Sequence, residues 1–151
     1  SYPKLDAARK FTNKLWNIAR FISMKRETLN PKSEIRNNLT MQQLNNVQNE
    51  VDKDIINKTK ELARQITKDL DSYNFNYAAE ALYEFIWHEF ADKYIEDVKN
   101  RLSPESFLIL NSTFLILLKL LHPFMPFVTE EIYQRFGFGK SIMVDKWPSY
   151  A

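Results

Sequence analysis

Charged, amide and aromatic side chains recur at helical spacing near the start of the chain. At 3.6 residues per turn, four of them fall within roughly 80° of one another and define what we call the Arg9–Arg20 face: Arg9, Asn13, Asn17 and Arg20. Arginine neutralises phosphates, asparagine pairs with base edges, and exposed aromatic rings such as Trp16 stack on unpaired bases. The pattern therefore indicates a nucleic-acid contact, although a solvated helix face with Trp16 packed against the following segment has the same spacing.

Positive charge is concentrated in the first quarter of the chain. Residues 1–36 carry nine Lys or Arg against three Asp or Glu, whereas the remaining residues carry 12 against 16. Lys25 and Arg26 place two of these cations just after the predicted first helix, and Lys14 lies on a strip beside the Arg9–Arg20 face. A basic end on a nearly neutral domain suggests that one edge meets an acidic partner.

The histidines and the acidic third helix have weaker support as catalytic groups. His88-Glu89 with Asp92 has part of the spacing of a helical zinc motif, but that motif needs a second histidine on the same face. The carboxylates of the predicted third helix alternate with apolar residues, as on an ordinary solvated surface. We expect the other histidine, His122, to satisfy a carbonyl at a helix end.

Composition restricts the possible classes of protein. The chain has 151 residues, enough for one domain with a hydrophobic core, and 44% of them are hydrophobic. Only 2 glycines are present, which argues against a Gly-rich phosphate loop and against a β fold with many turns. The absence of cysteine excludes disulfides and thiolate sites and is consistent with an intracellular location. Residues 1–10 lack the apolar segment of a signal peptide, and we expect the chain to be part of something larger.

Hydrophobic periodicity predicts an all-α bundle of about five helices in a single domain covering residues 1–151. The most apolar stretch, Phe107–Phe127, is interrupted by polar residues and is shorter than the about 20 apolar residues of a membrane span. We therefore interpret it as the central helix of the bundle, with Ser103 as its N-cap. The predicted helices span residues 5–24, 51–71, 77–102, 104–121 and 128–136, with a linker at 25–49 and a short extended segment at 142–144.

Four segments of the chain resemble the anticodon-binding domain of valyl-tRNA synthetases, which are class I aminoacyl-tRNA synthetases. In order, they are ARKFTNKLWNIARF (8–21), YNFNYAAEALYEFIWHEFADKYIE (73–96), LLKLLHPFMPFVTEEIYQRF (117–136) and SIMVDKWP (141–148). The last two favour the valyl branch over its isoleucyl, leucyl and methionyl relatives. The sequence departs from the family at Asp54 and Lys93, where the family often has tryptophan.

The resemblance implies a function in tRNA charging. Enzymes of this family use ATP and Mg²⁺ to esterify valine onto tRNA(Val) in a catalytic domain with HIGH-like and KMSKS-like motifs, and a separate domain edits mischarged product. Neither motif occurs in this chain. The resemblance therefore implies a cytoplasmic, monomeric protein in which this domain binds the anticodon stem-loop of tRNA(Val) and contacts the catalytic and editing domains of the same polypeptide. It implies no membrane association, and no catalytic residue, cofactor or metal within this domain.

The resemblance also assigns roles to individual residues. It implies phosphate contacts from Arg9, Arg20, Lys25 and Arg26, with Lys14 nearby, and base-edge or ribose contacts from Asn13 and Asn17. Two alternatives stay open at this point. One is a helical protein-interaction bundle whose basic end docks an acidic protein, and the other is the same domain from an isoleucyl- or leucyl-tRNA synthetase.

Overall fold

The structure is a computed structural model that describes residues 2–29 and 45–150. In this part of the chain the protein is all-α, as predicted, and the helices pack into one bundle. Most of the predicted linker, residues 30–44, lies outside the described residues. In chain order the elements are α1 (Tyr2–Leu29), α2 (Glu50–Asp71), α3 (Phe75–Glu84), a π-helical segment (Phe85–Ile95), α4 (Glu96–Lys99), α5 (Pro104–Leu121), α6 (Pro126–Arg135) and a 3₁₀ turn (Ile142–Val144).

Helix α1 is longer than the predicted span of residues 5–24 at both ends. Lys25 and Arg26, which were predicted to begin the linker, lie in its last turns. This extension is stabilised by Leu29, which packs on the core, and by hydrogen bonds from Arg26 to α5 and to the end of α6. At the other end, Leu5 and Ala8 continue the spacing of the buried residues Phe11, Leu15 and Ile18 but are exposed.

The third predicted helix is one continuous rod formed by α3, the π-helical segment and α4. It spans residues 75–99, whereas residues 77–102 were predicted. The rod ends before residue 102 because Ser103 adopts an extended conformation to cap α5. In the π-helical segment the buried side chains form the adjacent pairs 85–86, 90–91 and 94–95, which recur every four to five residues, as the wider turn of i→i+5 hydrogen bonding allows. A pattern based on 3.6 residues per turn does not follow this spacing.

Helix α5 is the centre of the core, as the sequence predicts. Ser103 and Ser106 form a capping box at its start, and 13 of its 18 residues are buried. By length and mean hydropathy (1.5) this helix alone among the described residues could cross a membrane, but 72% of it is buried inside the bundle. Phe114 stacks on Phe90 with 6.2 Å between ring centroids, which joins α5 to the π-helical segment. The central-helix interpretation is confirmed.

Side-chain pairs define the directions of the helices. Phe11 contacts Tyr83 and Phe21 contacts Lys99, so α1 runs parallel to the rod of residues 75–99. Helix α2 is antiparallel to that rod because the buried carboxylate of Asp52, near the start of α2, accepts hydrogen bonds from Tyr94 and Arg101, near the rod's end.

The segment after α6 closes the bundle. The predicted fifth helix, residues 128–136, is observed as Pro126–Arg135, and Gly137, just after its C-cap Phe136, has a φ of 78° that favours glycine. The predicted extended segment at 142–144 is wrong: these residues form a 3₁₀ turn, capped by the Ser141 side chain. The carboxylate of Glu130 also accepts a hydrogen bond from the Ile142 N–H, at 2.7 Å. The predicted role of His122 is also wrong, since its Nδ1 lies 2.9 Å from the Thr129 hydroxyl and not against a carbonyl.

One end of the bundle exposes large apolar side chains. It contains the start of α1, the α2–α3 turn and the start of α6, and we call it the aromatic end. Its exposed side chains are Leu5, Tyr73, Phe75, Tyr77 and Phe127, the last at 90% exposure. A groove of about 590 Å³ between α1 and the rod, with Lys4, Tyr83, Trp87 and Met125 among its lining residues, opens beside them.

Candidate nucleic-acid interface

The Arg9–Arg20 face lies on the outside of the bundle. All four of its residues are exposed, because Leu15, Ile18 and Ile22 on the opposite side of α1 are buried in the core. The face is therefore held rigidly by the packing of α1 and is available to a partner over about 16 Å, the rise between its first and last residue at 1.5 Å per residue.

The residues of this face differ in how they are held. Within the described residues, the side chains of Arg9 and Asn13 form no hydrogen bond or ion pair. Arg20 donates a hydrogen bond to Asn17 Oδ1 (3.1 Å), and its guanidinium lies 6.0 Å from the centre of the Trp16 ring. Trp16 is half-buried and packs against Phe136 (6.1 Å between ring centroids), so the ring supports Arg20 and does not project into solvent.

Two of the predicted lysines lie to one side of this face. Lys14 points toward the rod, where its ammonium is 3.3 Å from the Asp92 carboxylate and 5.2 Å from the centre of the Trp87 ring. Lys25 lies over the Phe21 ring at 5.7 Å. Lys99 lies over the same ring at 5.6 Å, which brings a cation from α4 to the edge of α1. Lys25 therefore widens the positive surface, whereas the charge of Lys14 is partly neutralised. The charge of Lys99 is also partly neutralised, because its ammonium lies 2.7 Å from the Glu96 carboxylate.

Arg26 is placed differently from the other predicted site residues. Its guanidinium donates hydrogen bonds to the Phe136 carbonyl and to Asn111 Oδ1 (2.9 Å) and lies 5.6 Å from the centre of the Phe138 ring. Burial lowers the pKa of Arg26 from its ordinary value, and its buried Nε has no hydrogen-bond partner within the described residues. These contacts join α1, α5 and the end of α6, so the geometry gives Arg26 a structural role in place of the predicted phosphate contact.

Arg135, at the end of α6, extends the Arg9–Arg20 face and was missed from the sequence. Its guanidinium lies 5.4 Å from the centre of the Trp16 ring, and its side chain is 65% exposed. The carboxylate of Glu131 is 3.8 Å away, which is a long and solvent-exposed ion pair. No spacing along the chain relates residue 135 to residue 16, so only the packing of α6 beside α1 could have indicated this neighbour.

In the incomplete zinc motif, the side chains of His88 and Asp92 lie together, whereas that of Glu89 pairs elsewhere. The His88 imidazole is exposed between the carboxylates of Glu84 (3.5 Å) and Asp92 (3.4 Å). The Glu89 carboxylate instead pairs with Lys93 (2.8 Å) and Lys58 (3.1 Å), and hydrogen bonds from these two ammonium groups, Lys93 first, lower its pKa. Among the residues that the structure describes, no group of three or more His, Asp or Glu could hold a metal ion. The basic outer face of α1 is therefore the candidate site that the geometry supports.

A family comparison gives the class of domain to which this all-α bundle belongs. Residues 52–151 match the anticodon-binding domain of tRNA ligase. This chain therefore belongs to the family of anticodon-binding domains of tRNA ligases, and the predicted family is confirmed. The matched range starts in α2, so α1 lies outside it.

Individual relatives include α1 and indicate the branch of the family. The chain is 40% identical to the valine–tRNA ligase of Carboxydothermus hydrogenoformans over 97% of its own length, and 40% identical to that of Fervidobacterium nodosum over 95%. It is 38% identical to the valine–tRNA ligase of Thermotoga maritima over 95%. The predicted similarity to the valyl branch is thus confirmed. The chain spans only 16% of the length of each of these relatives.

Proposed function

We propose that this domain binds the anticodon stem-loop of tRNA(Val) as part of a valine–tRNA ligase. The observation that carries the proposal is the Arg9–Arg20 face, which combines two exposed guanidiniums with two exposed amides on one rigid helix. Guanidiniums recognise phosphates, and amide side chains can donate to and accept from base edges. The similarity to valine–tRNA ligases over nearly the whole chain supports tRNA(Val) as the partner.

In this mechanism the domain contributes binding energy and orientation. Arg9 and Arg20 hold the sugar–phosphate backbone, while Asn13 and Asn17 contact bases or riboses between them. Contact at the anticodon fixes the position of the tRNA, so its acceptor end is presented to a distant active site elsewhere in the polypeptide. We expect the chemical step itself, with its ATP and Mg²⁺, to take place outside these 151 residues. A cytoplasmic location and a monomeric state follow from the same proposal.

A binding series with tRNA tests the proposal. The affinity of the chain for a tRNA(Val) transcript should fall steeply as KCl rises, and Arg9→Gln should reduce both the affinity and the salt slope, the latter by about one. Asn13→Ala should reduce discrimination between the valine anticodon and a substituted anticodon loop. Binding that is indifferent to salt and to Arg9→Gln would refute the proposed surface, and equal binding of tRNA(Ile) would favour the isoleucyl alternative.

The second candidate function is protein interaction. The aromatic end favours it as a contact that the domain makes in addition to tRNA binding. Exposed apolar side chains gathered at one end of a bundle mark a protein interface more often than an RNA contact. Relatives of this chain are about six times longer, so we propose that the aromatic end packs against another domain of the same polypeptide. In a full-length ligase, Phe127→Ser should reduce aminoacylation, whereas RNA binding by the domain alone should be unchanged. Unchanged aminoacylation would refute this contact.

A further inference from the structure

Trp16 has arginines from two different helices against its ring. The guanidinium of Arg20, on α1, lies 6.0 Å from the ring centre, and that of Arg135, on α6, lies 5.4 Å from it. Both arginine side chains are exposed, whereas Trp16 is half-buried and packs on Phe136. Trp16 is thus a fixed platform that orients two cations which are 115 residues apart in the sequence.

This arrangement gathers positive charge that nearby carboxylates compensate poorly. Both guanidiniums lie within 6.0 Å of one ring centre, so the two cations are less than about 12 Å apart. Within the described residues, Arg20 has only the neutral amide of Asn17 as a hydrogen-bond acceptor. The nearest acidic partner of Arg135 is the exposed Glu131, at 3.8 Å. Contact with the aromatic ring holds each cation in place, and a bound anion would compensate the positive charge that the nearby carboxylates leave.

We propose that Arg20 and Arg135, supported by Trp16, form a two-arginine clamp for the sugar–phosphate backbone of RNA. A guanidinium suits phosphate binding on an aromatic ring better than an ammonium, because it is planar, stays charged and pairs with two phosphate oxygens at once while it stacks on the ring. The inference rests on the proposed function, and it adds a binding residue from α6 to a surface otherwise built from α1.

The clamp continues the Arg9–Arg20 face. Arg20 belongs to both, so a backbone held at Arg20 and Arg135 passes directly to the exposed amides of Asn13 and Asn17 on α1. An acidic protein segment has the same charge, but it would not use the neighbouring asparagines, which match base edges and riboses. We therefore commit to RNA as the occupant and let the experiment include an acidic polypeptide as competitor.

The test compares Arg135→Gln with Arg64→Gln in tRNA binding across a KCl series. Arg64 is a matched control because it is also an exposed arginine on a helix paired with a nearby glutamate, Glu61, at 3.1 Å. We expect Arg135→Gln to weaken binding about 5- to 10-fold in low salt and to lower the salt slope by about one, with Arg64→Gln close to wild type. Arg135→Lys should keep the salt slope but bind more weakly, because an ammonium contacts phosphate as a point charge. Trp16→Phe should retain binding, and Trp16→Leu should lose as much as Arg135→Gln.

The outcomes separate this inference from the proposed function. If Arg9→Gln and Arg20→Gln weaken binding while Arg135→Gln matches Arg64→Gln, the clamp is refuted and the function stands. If none of these variants weakens binding, both fail. If polyglutamate displaces the tRNA from wild type at equal charge concentration, the site accepts acidic chains in general and the assignment to RNA is overturned. Urea unfolding midpoints equal to wild type for Arg135→Gln and Trp16→Leu would exclude loss of folding as the cause of weaker binding.

Discussion

Replacing Arg26 by methionine separates a structural arginine from an RNA-binding one. The guanidinium of Arg26 donates to the Phe136 carbonyl and to Oδ1 of Asn111, which is 4% exposed. Methionine has similar length but no donor, so two acceptors lose their partner, at a cost of about 1–3 kcal/mol each. Part of that cost is offset because the folded protein no longer has to bury the Arg26 cation, whose Nε has no hydrogen-bond partner within the described residues. We expect a net loss of about 2–4 kcal/mol in the free energy of unfolding, or roughly 5–15 °C in Tm.

The assay is urea denaturation followed by circular dichroism, combined with tRNA binding on the same samples at a temperature where both are folded. Arg20→Gln is the control: it should change stability by less than about 0.5 kcal/mol, because its side chain is exposed, while reducing the salt slope of tRNA binding. Arg26→Met should lower the free energy of unfolding and leave the salt slope of tRNA binding unchanged. If Arg26→Met unfolds at the wild-type urea concentration and lowers the salt slope by about one, Arg26 contacts phosphate and our reasoning about its position is refuted.

Three further predictions concern the core and its polar groups. Leu117→Ala should destabilise the domain by about 2–5 kcal/mol in urea, because Leu117 is 1% exposed; a change near zero would contradict its central position. Asp52→Ala should cost about 3–5 kcal/mol in the same assay, because it leaves Arg101 and Tyr94 without their shared acceptor, and an unchanged midpoint would mean that this network contributes nothing. Burial alone raises the pKa of Glu130, but hydrogen bonds from Ser141 and Ile142 outweigh it and leave the pKa below 4.5. The ionised carboxylate of Glu130 therefore stabilises the folded state above pH 4.5, and this stabilisation is lost as pH falls through the lowered pKa. Glu130→Gln should thus lose less stability than wild type when the domain is acidified, and identical pH profiles of stability would contradict this.

Much of the fold was predictable because apolar spacing and caps act locally. The apolar residues of α2 follow a regular helical period, and α5 is a long apolar run that begins at Ser103 and Pro104, so both helices were placed to within a residue. The π-helical segment was not predictable from a 3.6-residue period, because i→i+5 winding changes which side chains face the core. The extension of α1 to Leu29 also depends on tertiary contacts, chiefly those of Arg26.

The site was predictable only where it lies on one helix. Arg9, Asn13, Asn17 and Arg20 share a face because helical geometry alone brings them together, and the structure leaves all four exposed. Charge alone could not distinguish Arg26, which turns inward, from Arg20, which turns outward. Their neighbour Arg135 reaches the same surface only through packing of α6 beside Trp16. Residues brought together by tertiary structure leave no periodic signal in the sequence.

The most direct test of the central claim is an NMR titration of the ¹⁵N-labelled domain with the anticodon stem-loop of tRNA(Val). We predict that the side-chain amide signals of Asn13 and Asn17 and the indole N–H signal of Trp16 shift on binding, whereas the side-chain amide signal of Gln65, on α2, stays in place. Shifts confined to the aromatic end or to α2, with the signals of Asn13 and Asn17 unchanged at saturation, would contradict the claim that the outer face of α1 binds RNA.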